Sequence, residues 1–122
     1  MALLLTSSIG FFVQRARPFL VSDAIIRLIP IPLNTSFPSG HTAAAIAIAS
    51  AVFFGNRLLG WISFVIAFGV ILGRIAVGVH YPSDVLGGML VGVVSFFLIR
   101  YGHRQIRRRD LAESVRRHHH EV

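Results

Sequence analysis

Two histidines in this chain each stand inside a short polar group that opens an apolar run. Pro38-Ser39-Gly40-His41 leads one run, and His80-Tyr81-Pro82-Ser83-Asp84 leads another, with Arg74 six residues ahead of His80. An imidazole can serve as nucleophile or proton carrier near neutral pH. Pro82 suits the first position of a helix, which puts Asp84 in its first turn. From there the carboxylate can accept from one ring nitrogen of His80, fix the tautomer and leave the other nitrogen free to attack. A Pro-Ser-Gly turn opening an Ala-rich helix leaves unpaired backbone amides at the positive end of the helix dipole, which makes an anion site. Ser39 adds a hydroxyl donor, Gly40 lets the backbone approach, and His41 enters with the first turn. Arg74 is a charge inside apolar sequence and needs an anionic partner. The set is suited to a phosphate.

The elements that must bring these residues together are apolar segments. The pattern predicts helices over about 1–14, 39–55, 61–79 and 83–100, followed by a basic tail over 102–122. Each long run has about 15 to 19 residues, close to what roughly 30 Å of hydrocarbon demands at about 1.5 Å per residue. An out-and-back pair of crossings would return both histidine groups to one membrane face. The stretch from Phe19 to Leu33 carries Asp23, Arg27, Pro30 and Pro32, so it reads as an interfacial loop or short helix. The first fourteen residues lack a basic start and a clear cleavage site, and read as a short membrane helix rather than a signal peptide. Gly87, Gly88 and Gly92, with Ala43, Ala44, Ala45, Ala47 and Ala49, would let helices pack closely.

Composition points the same way. Of 122 residues 54% are hydrophobic and 14% charged, and the mean hydropathy is +0.70; these values argue against an ordinary water-soluble domain. The net charge is +7 and all twelve basic residues are arginine. Seven of them lie from Arg100 onward, so the basicity is mostly a tail, suited to anionic lipid headgroups. No aromatic or groove-reading motif accompanies it, which disfavours nucleic acid. The absence of cysteine excludes disulfides, thiolate catalysis and Cys-ligated metals. The positive-inside rule puts the Asn56-Arg57 turn and the tail in the cytoplasm and the histidine groups on the other face. Arg15, Arg17 and Arg27 then stand on the outer side against the rule, which gives them another duty.

Arg17-Pro18, then Pro38-Ser39-Gly40-His41, then Arg74 to His80 to Asp84, in this order and spacing, resemble the three-part signature of the type 2 phosphatidic acid phosphatase superfamily. That superfamily also includes the vanadium haloperoxidases. The text around the motifs is similar to bacterial undecaprenyl-diphosphate phosphatases of the bacitracin-resistance type. The resemblance implies an all-α, polytopic membrane helical bundle, short at its N-terminus, in a bacterial plasma membrane. It implies a metal-independent phosphatase without cofactor, acting on a lipid phosphate or diphosphate, with undecaprenyl diphosphate preferred. By the same resemblance His80 would be the nucleophile that forms a phosphohistidine. Asp84 would orient it and His41 would protonate the leaving oxygen. Arg17, Arg74, Ser39 and Gly40 would bind the phosphoryl oxygens. The family's first motif begins with a lysine seven residues before its arginine, and that position here is Gly10. Arg15 would carry a charge nearby, but two residues from Arg17 along a helix it would face the other way.

Other readings of the same residues stay open from sequence. Arg74 and Asp84 could form a structural salt bridge, and Arg17 could snorkel to headgroups. His41, His80 and Asp84 could ligate a metal with Asp23 as a further acid. The chain could also be a non-catalytic family member that binds lipid phosphate or a partner helix. His118-His119-His120 reads as part of the solvated basic tail. Oligomeric state is not written in the sequence.

Overall fold

The computed structural model describes residues 1–21 and 35–120, and among them all regular structure is helical. Five helices follow in order: α1 (Ala2–Val13), α2 (Pro18–Val21), α3 (Gly40–Gly55), α4 (Arg57–Ala76) and α5 (Pro82–His120). Of the interfacial stretch expected over Phe19 to Leu33, α2 covers the start; Asp23, Arg27, Pro30 and Pro32 lie outside the described residues.

Helix α3 is the centre of the bundle, with α1, α4 and α5 packed around it and α1 also touching α5. Its sequence explains the position, because alanines give two of its faces nothing that holds a neighbour away. Ala43 and Ala49 are buried with Ile46, and they meet Ala67 and Ile71 of α4 and Val85 and Val91 of α5. The closest approaches use glycine. A Cβ on Gly88 would lie 2.5 Å from the Ser39 carbonyl oxygen, and one on Gly92 would lie 2.6 Å from that of Ala43. These two α5 glycines therefore sit directly on the α3 backbone. Gly60 of α4 meets Phe53 of α3 in the same manner.

Large apolar side chains point the other way. Leu58, Trp61, Val65 and Ile66 of α4 and Leu86 and Leu90 of α5 are all half or more exposed. Small residues inside and large ones outside is the arrangement a hydrocarbon solvent favours. α4 has 20 residues, and the 29 residues Pro82–Asp110 of α5 contain an apolar window of 18, so each is long and apolar enough to cross a membrane. α3, with 16 residues, is about 24 Å long at about 1.5 Å per residue, less than a full crossing. Helix α4 starts at Arg57, four residues earlier than the hydrophobic run at Trp61 indicated. Asn56 caps it, its side chain accepting from the Leu59 amide at 3.1 Å. The helix ends at Ala76 rather than Val79, because Gly78 adopts φ 70° and turns the chain into the next segment.

The basic tail from Gly102, for which the sequence left helix or disorder open, is helical to His120 and continues α5 in one piece. A single glycine costs only about 1 kcal/mol inside a helix, and the arginines that follow are good helix formers. At the end of the bundle where α3 hands over to α4, Phe54 stacks on Phe96 at 4.9 Å, and the Arg100 guanidinium lies 4.1 Å from the Phe54 ring centre.

Candidate active site

The opposite end of the bundle holds the polar residues. Four pieces of chain converge there: residues 14–17 after α1, residues 35–39 before α3, the turn 77–81, and the first turn of α5. Backbone bonds tie them. The Ser39 amide donates to the Asp84 carbonyl at 2.9 Å, and the Ser36 amide donates to the Arg15 carbonyl at 2.8 Å. The start of α3, which carries Ser39, Gly40 and His41, is thus joined through the main chain to the residue that carries the carboxylate.

Asp84 is fully buried and its two oxygens are saturated with donors. Oδ2 accepts from the Ser36 hydroxyl and from the Tyr81 amide at 2.8 Å. Oδ1 accepts from the Arg15 guanidinium at 2.9 Å. The same guanidinium nitrogen donates to Ser83 Oγ at 2.7 Å, and its plane lies 4.1 Å from the Tyr81 ring centre. Arg15 reaches this position because α1 ends at Val13 and Gln14 turns left-handed at φ 44°. Helical facing therefore does not apply to it, and the orientation expected from helical periodicity is corrected. The ion pair on Asp84 belongs to Arg15, where sequence had offered Arg74.

His80 is 5% exposed. Its Nδ1 lies 2.8 Å from the Ser36 carbonyl and 3.6 Å from Asp84 Oδ2. A carbonyl only accepts, so the Nδ1 proton is fixed there. The acceptor that orients the ring is therefore the Ser36 carbonyl, with the Asp84 carboxylate a step further away than sequence led us to expect. The other nitrogen, Nε2, is left without a proton and lies 3.4 Å from the Arg17 guanidinium. Arg17 is buried and donates to the Val79 carbonyl at 3.0 Å, so it is built into the site rather than snorkelling. Burial, and then the Arg17 charge, push the His80 pKa down to about 4. The ring is neutral at physiological pH, a state in which the free nitrogen can attack or take a proton.

Helix α4 brings Arg74 to this end in its last turn, where the charge of Arg74 acts on both His80 and Arg17. Its Nε is buried without a hydrogen-bond partner, a donor waiting for an acceptor. Ser39 is the N-cap of α3; its hydroxyl accepts from Thr42 at 3.0 Å, which leaves its own hydrogen to give. The first amides of α3 add the donors that every helix start leaves over. His41 is exposed in the first turn of that helix. The position of the motif lysine, Gly10, is instead a packing contact: a Cβ there would lie 2.5 Å from Thr35 Oγ1 and 3.2 Å from the Phe37 carbonyl oxygen. Among the described residues no three His, Asp or Glu side chains gather as metal ligands, and Asp23 lies outside them.

The family model of the PAP2 superfamily matches residues 1–108. The chain belongs to this superfamily. It is 46% identical over 84 residues to the undecaprenyl-diphosphatase BcrC of Bacillus subtilis, covering 67% of this chain and 42% of that protein. It is 32% identical over 84 residues to the phosphatidylglycerophosphatase B of the same organism, covering 60% of this chain and 41% of that one. The crystal structure of a transmembrane PAP2-type phosphatidylglycerolphosphate phosphatase from Bacillus subtilis superposes with a TM-score of 0.68 at 31% identity, over 84% of this chain and 54% of that one. The chain therefore spans about half the length of these relatives or less. The fold is the helical bundle of a transmembrane PAP2 phosphatase.

Sequence reasoning assigned no role to Ser36, and it offered Arg15 as a nearby charge without its partner Asp84. Both lie next to motif residues, but their roles depend on where segments distant in sequence come to rest.

Proposed function

We propose that this protein is a membrane phosphatase that hydrolyses a lipid phosphate or diphosphate, with undecaprenyl diphosphate the preferred substrate. The observation that carries the reading is His80: buried and neutral, Nδ1 tied to a carbonyl, Nε2 unprotonated beside a guanidinium. In the first step Nε2 attacks phosphorus, an N–P bond forms, and the bond from phosphorus to the leaving oxygen breaks. His41 gives that oxygen its proton. In the second step His41, now the base, takes a proton from water; the hydroxide attacks phosphorus, the N–P bond breaks, and phosphate leaves.

Arg17, Arg74, Ser39 and the Gly40 amide hold the phosphoryl oxygens and the charge that builds on them. Asp84 steadies the positive charge that develops on the His80 ring. Arginines supply the neutralisation that a metal supplies elsewhere, so no cofactor enters the scheme. By the positive-inside rule, Arg57 and the arginine-rich end of α5 lie in the cytoplasm near anionic lipid, and the site opens on the other face. The match to BcrC in sequence favours the undecaprenyl substrate.

The test is phosphate release by the purified protein from undecaprenyl diphosphate, phosphatidic acid and phosphatidylglycerol phosphate, with and without chelator. We expect release that survives chelator, is fastest on the first lipid, and vanishes in His80→Ala. An acid-labile phosphoenzyme should form in the native protein and be absent from that variant. Binding of all three lipids without release from any would make the chain a lipid-phosphate binder and end the enzymatic reading.

A further inference from the structure

Arg15 does more than fill the space beside the motifs. Its guanidinium holds three things at once: Asp84 Oδ1 at 2.9 Å, Ser83 Oγ at 2.7 Å and the face of Tyr81 at 4.1 Å. Its backbone carbonyl also accepts from the Ser36 amide at 2.8 Å, and the Ser36 carbonyl is the acceptor that orients His80. One residue therefore grips both partners of the His80 Nδ1 side. With Arg15 on Oδ1, and Ser36 and Tyr81 on Oδ2, the carboxylate is pinned 3.6 Å from Nδ1, near enough to feel the ring but short of a full hydrogen bond.

We propose that Arg15 is a positioning residue, which acts on His80 through Asp84 and sets how much of the carboxylate charge the nucleophile receives. The proposal rests on His80 being the nucleophile of the reaction put forward above. The charges that bear on His80 come from every element around it: Arg17 from the segment after α1, Arg74 from α4 and Asp84 from α5. Tyr81 is its neighbour in the turn, and His41 of α3 stands under the same two arginines. The guanidinium of Arg15 is bonded to Asp84, and Asp84 stands next to the ring, so the influence of Arg15 passes through the carboxylate it neutralises. Removing it unmasks Asp84, and an unmasked anion within about 4–6 Å raises the pKa of an imidazole by about one unit or more.

The experiment is a histidine NMR titration of the ligand-free full chain in detergent micelles, with the His80 resonance assigned by its loss in His80→Gln. Arg15→Gln should move the His80 midpoint upward from near 4 by about one pH unit, and Arg15→Lys, which keeps the charge, should return most of that shift. Kinetics on the lipid panel should show the effect of Arg15→Gln in kcat while KM holds, with partial return in Arg15→Lys; a shift of one pH unit corresponds to about 1.4 kcal/mol, or up to about tenfold in rate. An unmoved midpoint in Arg15→Gln overturns the proposal. A raised KM at unchanged kcat overturns it too, since Arg15 would then touch the substrate. The titration needs no turnover, so if the native chain releases no phosphate the enzymatic reading falls while Arg15 is still decided by the midpoint.

Discussion

Replacing Gly88 with alanine should damage the polar end of this protein, where α5 meets the start of α3. The Cβ would arrive 2.5 Å from the Ser39 carbonyl oxygen and 3.0 Å from Thr42 Cβ. Ordinary contact needs about 3.5 Å, so α5 and the start of α3 must part by roughly 1 Å. The atom in the way is backbone, which cannot swing aside. The Ser39 amide to Asp84 carbonyl bond of 2.9 Å would then open to nearly 4 Å, past the length of a hydrogen bond. Overpacking of this kind costs about 1–3 kcal/mol, and the better helix propensity of alanine returns up to about 1 kcal/mol. We expect a net loss on the order of 1–2 kcal/mol in stability. The catalytic effect should be larger, because a misplacement of about 1 Å between reacting groups can cost about 100-fold in rate. The assay pairs thermal unfolding in detergent, followed by the fluorescence of Trp61, with phosphate release. Gly73→Ala is the control, since nothing lies within 4 Å of a Cβ there; it should leave kcat unchanged and raise Tm slightly through helix propensity. If Gly88→Ala matches Gly73→Ala in Tm and kcat, the α3–α5 contact does not set the site, and the reasoning fails.

Three further outcomes follow from the site. Ser36→Ala removes the hydroxyl from the buried Asp84 Oδ2 while keeping the carbonyl that orients His80; a loss of about 1–3 kcal/mol should appear in denaturant unfolding, and an unchanged midpoint would mean that water replaces the hydroxyl. Arg74→Gln should raise KM about 10- to 100-fold, the worth of one charge-assisted contact, with Tm nearly constant because its Nε has no partner in the free protein; a large fall in Tm at constant KM would make Arg74 structural. The His80 pKa is lowered from 6.5 to about 4, so the unfolded chain binds the extra proton first. Its contribution to stability is therefore complete above about pH 6.5 and declines as pH falls toward 4. Urea midpoints measured across that window should drop with acid, and drop less in His80→Gln.

The placement of the motif residues was legible in the sequence where it depends on short spacing. Pro82 marks the start of α5, which fixes Asp84 one turn beyond His80, and the Pro-Ser-Gly turn marks the start of α3. Gly88, Gly92 and the alanines of α3 announce close helix packing. What could not be read depends on pieces of chain far apart in sequence. Arg15 lies 69 residues from Asp84, and its direction is set by a left-handed Gln14, a conformation that side-chain-bearing residues adopt rarely. The Ser36 carbonyl acts through the main chain, and a main-chain group leaves no mark in residue type. The charged run after Arg100 is legible as a change in hydropathy, but whether it is helical was open from sequence; backbone propensity does not change there, and α5 simply continues.

The tie between Ser39 and Asp84 runs amide to carbonyl. Atoms of that kind are present whatever the side chains, and only proline at position 39 would take the donor away. The joint between the two histidine-bearing segments is thus insulated from most substitution, provided that glycine keeps the helices close. Substitutions among the lipid-facing side chains of α4 and α5 should therefore leave the spacing between the starts of α3 and α5 in place.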